Sequence, residues 1–185
     1  NALLGVINVI TKKGKDINAL RLTGEVGSLN TYRGRITYGK EWDNGASLLL
    51  NASQYTSQGN PHLSFEEYRD PGNGIDGIAR NMDRERSSRL FGQLSYRGFT
   101  LNAGYVDRLK HAPTAPFGVI FNDKFSTVDR QIFVDLDYTK QIDNNLTLQL
   151  RGFHHWYHYH SVGIYLAEDN LSNTYRAFNK DLTVG

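Results

Sequence analysis

Hydrophobic and polar residues alternate along most of this chain. From Leu146 the even positions are Leu146, Leu148, Leu150, Gly152, His154 and Trp156, and the odd ones are Thr147, Gln149, Arg151, Phe153, His155 and Tyr157. An extended strand sends successive side chains to opposite faces, so this segment has one apolar and one polar face. A helix would need apolar residues at spacings of three and four, which are missing here. The apolar face ends on an aromatic ring about ten residues after it starts, the reach of a tilted strand across a bilayer.

The same alternation predicts strands over residues 18–28, 32–42, 46–55, 86–97, 99–109 and 130–140, with a weaker one from 173. Their apolar faces carry Leu20, Leu22, Ile36, Leu48, Leu50, Leu90, Leu94, Leu101 and Leu136. Asp43-Asn44-Gly45 is a tight hairpin signal in which Gly45 suits a left-handed backbone. The connections alternate between short (43–45, 97–98, 141–145) and long (56–85, 110–126, 161–172). Short turns at one end and long loops at the other are the mark of an antiparallel up-and-down sheet threaded through a membrane. Tyr38, Trp42, Tyr96, Phe99 and Tyr138 fall near the short-turn ends and Trp156 near a long-loop end, where amphipathic rings favour the membrane–water boundary.

Residues 2–13 differ from the rest. Val6, Ile7, Val9 and Ile10 form a nearly continuous β-branched run, which predicts a strand buried on both faces. A formal net charge of +2 and the lack of a basic run argue against a nucleic-acid partner. Eleven Tyr and nine Phe suit sheets and interfacial girdles. The chain has no cysteine, which removes disulfides, thiolate metal sites and a cysteine nucleophile.

Asn1 to Lys12, NALLGVINVITK, resembles the end of the plug domain of TonB-dependent outer-membrane receptors, which commonly finish on a Gly-Val-Ile-Asn-Ile-Ile-Thr-Lys type of strand. The loop Pro113 to Asp123, PTAPFGVIFND, followed by Phe133 to Tyr138, FVDLDY, is similar to members of the same group. The resemblance implies an all-β fold: about 7–8 antiparallel strands of a 22-stranded transmembrane β-barrel, preceded by the last plug strand. Residues 1–15 would close the plug and residues 16–185 would open the barrel. It further implies a transporter rather than an enzyme, in the bacterial outer membrane and in contact with its lipid. Ligand uptake, most simply of a ferric siderophore or similar iron chelate, would be driven by the TonB complex. The TonB-contacting segment, most of the plug and the remaining strands would belong to a longer polypeptide. No cofactor is expected.

Ligand contacts are expected from the long loops and the polar strand face: His62, Tyr68, Arg69, Arg80, Arg108, Phe117, Phe121, His155, Tyr157 and Tyr159. Aromatic rings and guanidinium groups suit anionic chelates. With the turn centred on Asp143, Asp135 falls opposite Arg151 and Asp129 opposite Tyr157, which predicts an Asp135–Arg151 pair lining the lumen. The histidine run is a weaker signal. His154 and His158 would lie about 13 Å apart along the strand, too far to share a metal. Gly72 to Gly77, GNGIDG, has dinucleotide-motif spacing but follows Pro71 rather than a buried strand, so it reads as a loop. Two rival readings remain. An outer-membrane barrel hydrolase would need Asp135 or Asp137 close to His155. A soluble β-rich binding or adhesion module would bury the leucine faces against a second sheet.

Overall fold

The computed structural model describes residues 11–167 and 170–184, with side chains described through Tyr165. The fold is antiparallel β throughout. Strands β1 (Leu20–Gly27), β2 (Thr31–Glu41), β3 (Ser47–Ser57), β6 (Glu85–Tyr96), β7 (Phe99–His111), β8 (Ser126–Gln141), β9 (Thr147–Ala167) and β10 (Asn170–Val184) form one sheet of eight. They lie in chain order, each paired antiparallel with the next. β4 (His62–Asp70) and β5 (Ile75–Arg80) form a separate hairpin between β3 and β6. The plug strand expected over residues 2–13 lies largely outside the described residues.

The turn chemistry sets the pairing. Trp42 N–H donates to Ala46 O (2.9 Å), Gly45 N–H to Trp42 O (2.9 Å), and Gly45 takes φ 79°. Arg97 and Gly98, both left-handed, make the two-residue link that leaves Tyr96 opposite Phe99. Between β8 and β9 the Asp143 carboxylate accepts the N–H groups of Asn145 (2.8 Å) and Leu146 (2.9 Å). Asp143 therefore opens the turn rather than centring it, and Gln141 pairs with Thr147. This corrects the expected register by two residues: Asp135 lies opposite Phe153, and Asp129 opposite Tyr159.

Two expected loops are strand. The segment 56–85 contains the β4–β5 hairpin, and the GNGIDG spacing falls across its turn and the start of β5. Within the loop expected over 161–172, residues 161–167 and 170–172 are strand, because β9 runs on to Ala167 and β10 starts at Asn170. Val162 and Ile164 are β-branched, and Ser161 to Tyr165 pair residue by residue with β10.

The apolar face of the sheet lies open. Leu20 is 61% exposed, Leu22 72%, Leu136 45%, Leu148 40% and Leu150 57%. Residues Ile36, Leu50, Leu90, Leu94 and Leu101 are exposed on the same face. Buried apolar side chains occur elsewhere: Ile17 and Leu49 on the opposite face, Ala79 on β5, and Met82, Val119 and Phe125 among the loops. A water-exposed Leu forfeits roughly 1.5–3 kcal/mol of burial, so a face this large needs an apolar medium or a partner.

A helical turn, α1 (Gly14–Ile17), precedes β1 and packs on the polar face. A Cβ on Gly14 would lie 2.2 Å from Leu48 O, and one on Gly39 would lie 2.5 Å from Ile17 Cβ. Glycine at both positions lets this turn press directly onto β2 and β3. The junction expected between residues 15 and 16 falls inside it.

Candidate ligand-facing site

The polar face is a surface of ordered cross-strand contacts. Asn51 donates to Thr37 (2.7 Å), Gln93 to Asn102 (2.9 Å), and Ser95 and Thr100 share a hydroxyl bond (3.1 Å). Arg33 pairs with Glu25 (3.0 Å) and stacks over the Tyr55 ring (5.3 Å). Arg108 grips Glu85 with two bonds (2.8 and 3.2 Å). The Asp135–Arg151 pair forms in spite of the corrected register. Arg151 Nε reaches diagonally to Asp135 Oδ2 (2.9 Å), its terminal nitrogen bonds the same oxygen, and Asp137 Oδ1 lies 3.7 Å from Nε. The other Asp135 oxygen is buried without a hydrogen bond. Tyr157 reaches Asp129 by the same diagonal (2.5 Å).

An aromatic stripe crosses this face. Phe91 and Phe133 approach to 6.4 Å, Phe133 and His155 to 5.8 Å, and Phe153 and His155 to 6.0 Å. Phe133 lies over Gly104, where a Cβ would sit 2.2 Å from its ring. His155 thus belongs to the stripe, while Asp135 and Asp137 turn to Arg151. His155 lies within electrostatic reach of Asp135, but among the described residues no hydrogen bond joins it to Asp135 or Asp137.

At the end of the sheet bearing the β4–β5 hairpin, the loops form a cap. Tyr68 stacks on Phe121 (4.6 Å), with Phe65 edge-on to both (6.2 and 6.3 Å). Arg80 N–H donates to Asn122 Oδ1 (2.8 Å), and Ile120 N–H to Ile164 O of β9 (2.9 Å). Asp83 anchors the base of the hairpin, accepting Asn60 N–H (3.1 Å) and Lys110 Nζ (2.5 Å). Burial pushes the Asp83 carboxyl up, but the Lys110 ammonium and the Asn60 N–H outweigh it, and the net direction is down. The Arg80 guanidinium and the Ile78 N–H hold Asp76 at about 2.

The expected ligand contacts therefore fall into two groups. His62, Tyr68, Arg69, Arg80, Phe117 and Phe121 belong to the cap, and Arg108, His155, Tyr157 and Tyr159 to the polar face. The three arginines are already engaged: Arg69 with Glu66 (3.1 Å), Arg80 with Asp76, and Arg108 with Glu85. Phe117 is 79% exposed at φ 58°, a backbone rarely held by a bulky residue. Sequence reasoning missed Arg35 and Arg89. Both lie on the polar face and, among the described residues, neither makes a hydrogen bond or ion pair. Their inward parity was readable, but their lack of a partner required the register.

No family model, curated protein or solved structure matches the chain.

Proposed function

We propose that the chain is part of the wall of a TonB-dependent outer-membrane receptor that captures a ligand and passes it inward. A ferric siderophore or similar chelate fits the aromatic and cationic side chains. One observation carries the reading: the exposed leucine face is bounded at both ends by aromatic rings. Phe99 and Tyr138 lie 4.4 Å apart at the short-turn end, with Tyr96 opposite Phe99 and Trp42 in the β2–β3 turn at the same end of the sheet. Tyr105, Ile132 and Trp156 share a row near the cap, and the next row is Ser88, Asp107, Arg130 and His158. From Leu146, just before β9, to Trp156 the outward positions span about 33 Å, which tilts to a height near that of a membrane's apolar core. The polar face would then line the lumen, with the loop cap outside. The plug strand implied by the sequence would run toward α1, which already lies on the polar face.

The chain's two tryptophans, Trp42 and Trp156, supply the test. Both lie on the apolar face and are partly exposed, 41% and 37%. In proteoliposomes, brominated phospholipid should quench both, while iodide in the water should barely affect them. Iodide quenching without lipid quenching would remove the membrane reading. Tryptophans elsewhere in a longer polypeptide are replaced by Phe for this measurement.

A further inference from the structure

We propose that the polar face carries an oxyanion-binding site between Arg35 and Arg89, fitted to a phosphate- or carboxylate-bearing small molecule. Arg35 on β2 and Arg89 on β6 flank the same residue, Ser53 on β3, one on each side. Two strand spacings put their Cα atoms about 10 Å apart, within reach of two long side chains closing on one group. Both line a single polar cavity of about 290 Å³, together with Arg33, Tyr55 and Ser87.

Charge decides what the cavity takes. Its one carboxylate, Glu85, is held by two bonds from Arg108 and lies within electrostatic reach of Arg89 without bonding to it, and Arg33 is paired with Glu25. Arg35 and Arg89 are left as two positive charges without an ion pair among the described residues. Ser53, Tyr55 and Ser87 add hydroxyls beside them. Guanidinium forks with neighbouring hydroxyls match the oxygens of phosphate and carboxylate groups. The basic character continues toward α1, where Lys12 and Arg21 line an adjoining cavity of about 490 Å³ that also includes Arg35. A ligand with several anionic groups could extend along this groove.

The site rests on the polar face and not on the membrane, so it and the receptor reading can fail separately. Calorimetry on the intact polypeptide in detergent, with inorganic pyrophosphate and citrate as probes, tests it. At least one probe should bind, with an affinity that falls as salt is added, and which one binds assigns the ligand class. Arg35→Gln or Arg89→Gln should each weaken binding about tenfold, the worth of one charge-assisted fork. Arg130→Gln, on the opposite face, should leave binding unchanged, and Arg89→Lys should keep part of it. Among the described residues Arg35 and Arg89 make no hydrogen bond or ion pair, so these variants are expected to fold. Binding of neither probe, undiminished binding in the Arg35→Gln/Arg89→Gln double variant, or an equal loss in Arg130→Gln would overturn the proposal.

Discussion

The two faces of one sheet differ more than any two segments of the chain. On one, Leu20, Leu22, Ile36, Leu50, Leu94, Leu101, Leu136 and Leu150 stand exposed. Within that band, among the described residues, no side-chain hydrogen bond forms. Such bonds begin only at its upper rim, where Tyr105 and Arg130 bond to Asp107. The other face is tied across strand after strand, from Glu25–Arg33 to Asp135–Arg151. A soluble sandwich puts its greasy face against a second sheet and its polar face toward water. Here the second sheet among the described residues, the β4–β5 hairpin, belongs to the cap and does not cover the leucine face, and the polar face carries the ordered contacts and the helical turn. This inversion suits a wall with lipid on one side and a hydrated, partly filled lumen on the other.

The largest expected effect comes from placing a charge on the wrong face. Leu136→Arg should cost about 2–4 kcal/mol in equilibrium unfolding from bilayers, because guanidinium desolvation in lipid is expensive. Gln131→Arg, five residues away on the polar face, should stay within about 0.5 kcal/mol. Equal costs would erase the distinction between the faces.

Removing one partner of a buried polar contact should matter less. Arg151→Ala leaves the buried Asp135 carboxylate without its donor and should cost about 1–3 kcal/mol in the same unfolding measurement. The double variant Arg151→Ala/Asp135→Ala should recover much of that loss. A neutral Arg151→Ala would mean that the diagonal pair contributes nothing.

The cap is a third environment, where effects should be local. Asp83→Asn weakens the hold of Lys110 on the hairpin base. Amide exchange across β4 and β5 should accelerate several-fold while β7 and β8 stay protected. Acceleration spread over the whole sheet would show that the cap and wall form one cooperative unit.

The smallest effect is electrostatic. Asp76 sits at about 2, below its ordinary 3.8, so its contribution is present above the ordinary value and fades as pH falls toward about 2. A carboxylate NMR titration of Asp76 should give a midpoint clearly below that of a free aspartate, and Arg80→Gln should return it upward. An unshifted midpoint in the parent protein would remove the Asp76–Arg80 contact.

Alternation made the strands legible, because a half-exposed ribbon writes its two faces into every second residue. It could not set register. Asp143 is compatible with either the first or the middle place in its turn, and only its two N–H contacts decide. The Asp135–Arg151 pair was reached from a register wrong by two residues, since a long arginine spans the diagonal as readily as the rung. The loops were the least legible part. Gly, Asn and Asp around residues 59–77 mark turns, yet β4 and β5 still pair as a hairpin, His62–Ser64 and Arg69–Asp70 against Ile75–Arg80 with an irregularity between. Arg69, Arg80 and Arg108 looked available in the sequence, but their acidic partners sit 3, 4 and 23 residues away. Arg35 and Arg89 look no different until the cross-strand neighbours are known.

The assignment of the two faces can be tested residue by residue, because a chain without cysteine accepts single spin labels cleanly. Labels at each position from 146 to 156 in reconstituted protein would be read for collision with oxygen, which concentrates in lipid, and with a water-soluble nickel chelate. The account predicts a period of two, with Leu146, Leu148 and Leu150 open to oxygen and closed to nickel, and Gln149 and Arg151 reversed or shielded from both. Leucine positions closed to both reagents, or open to nickel, would contradict it.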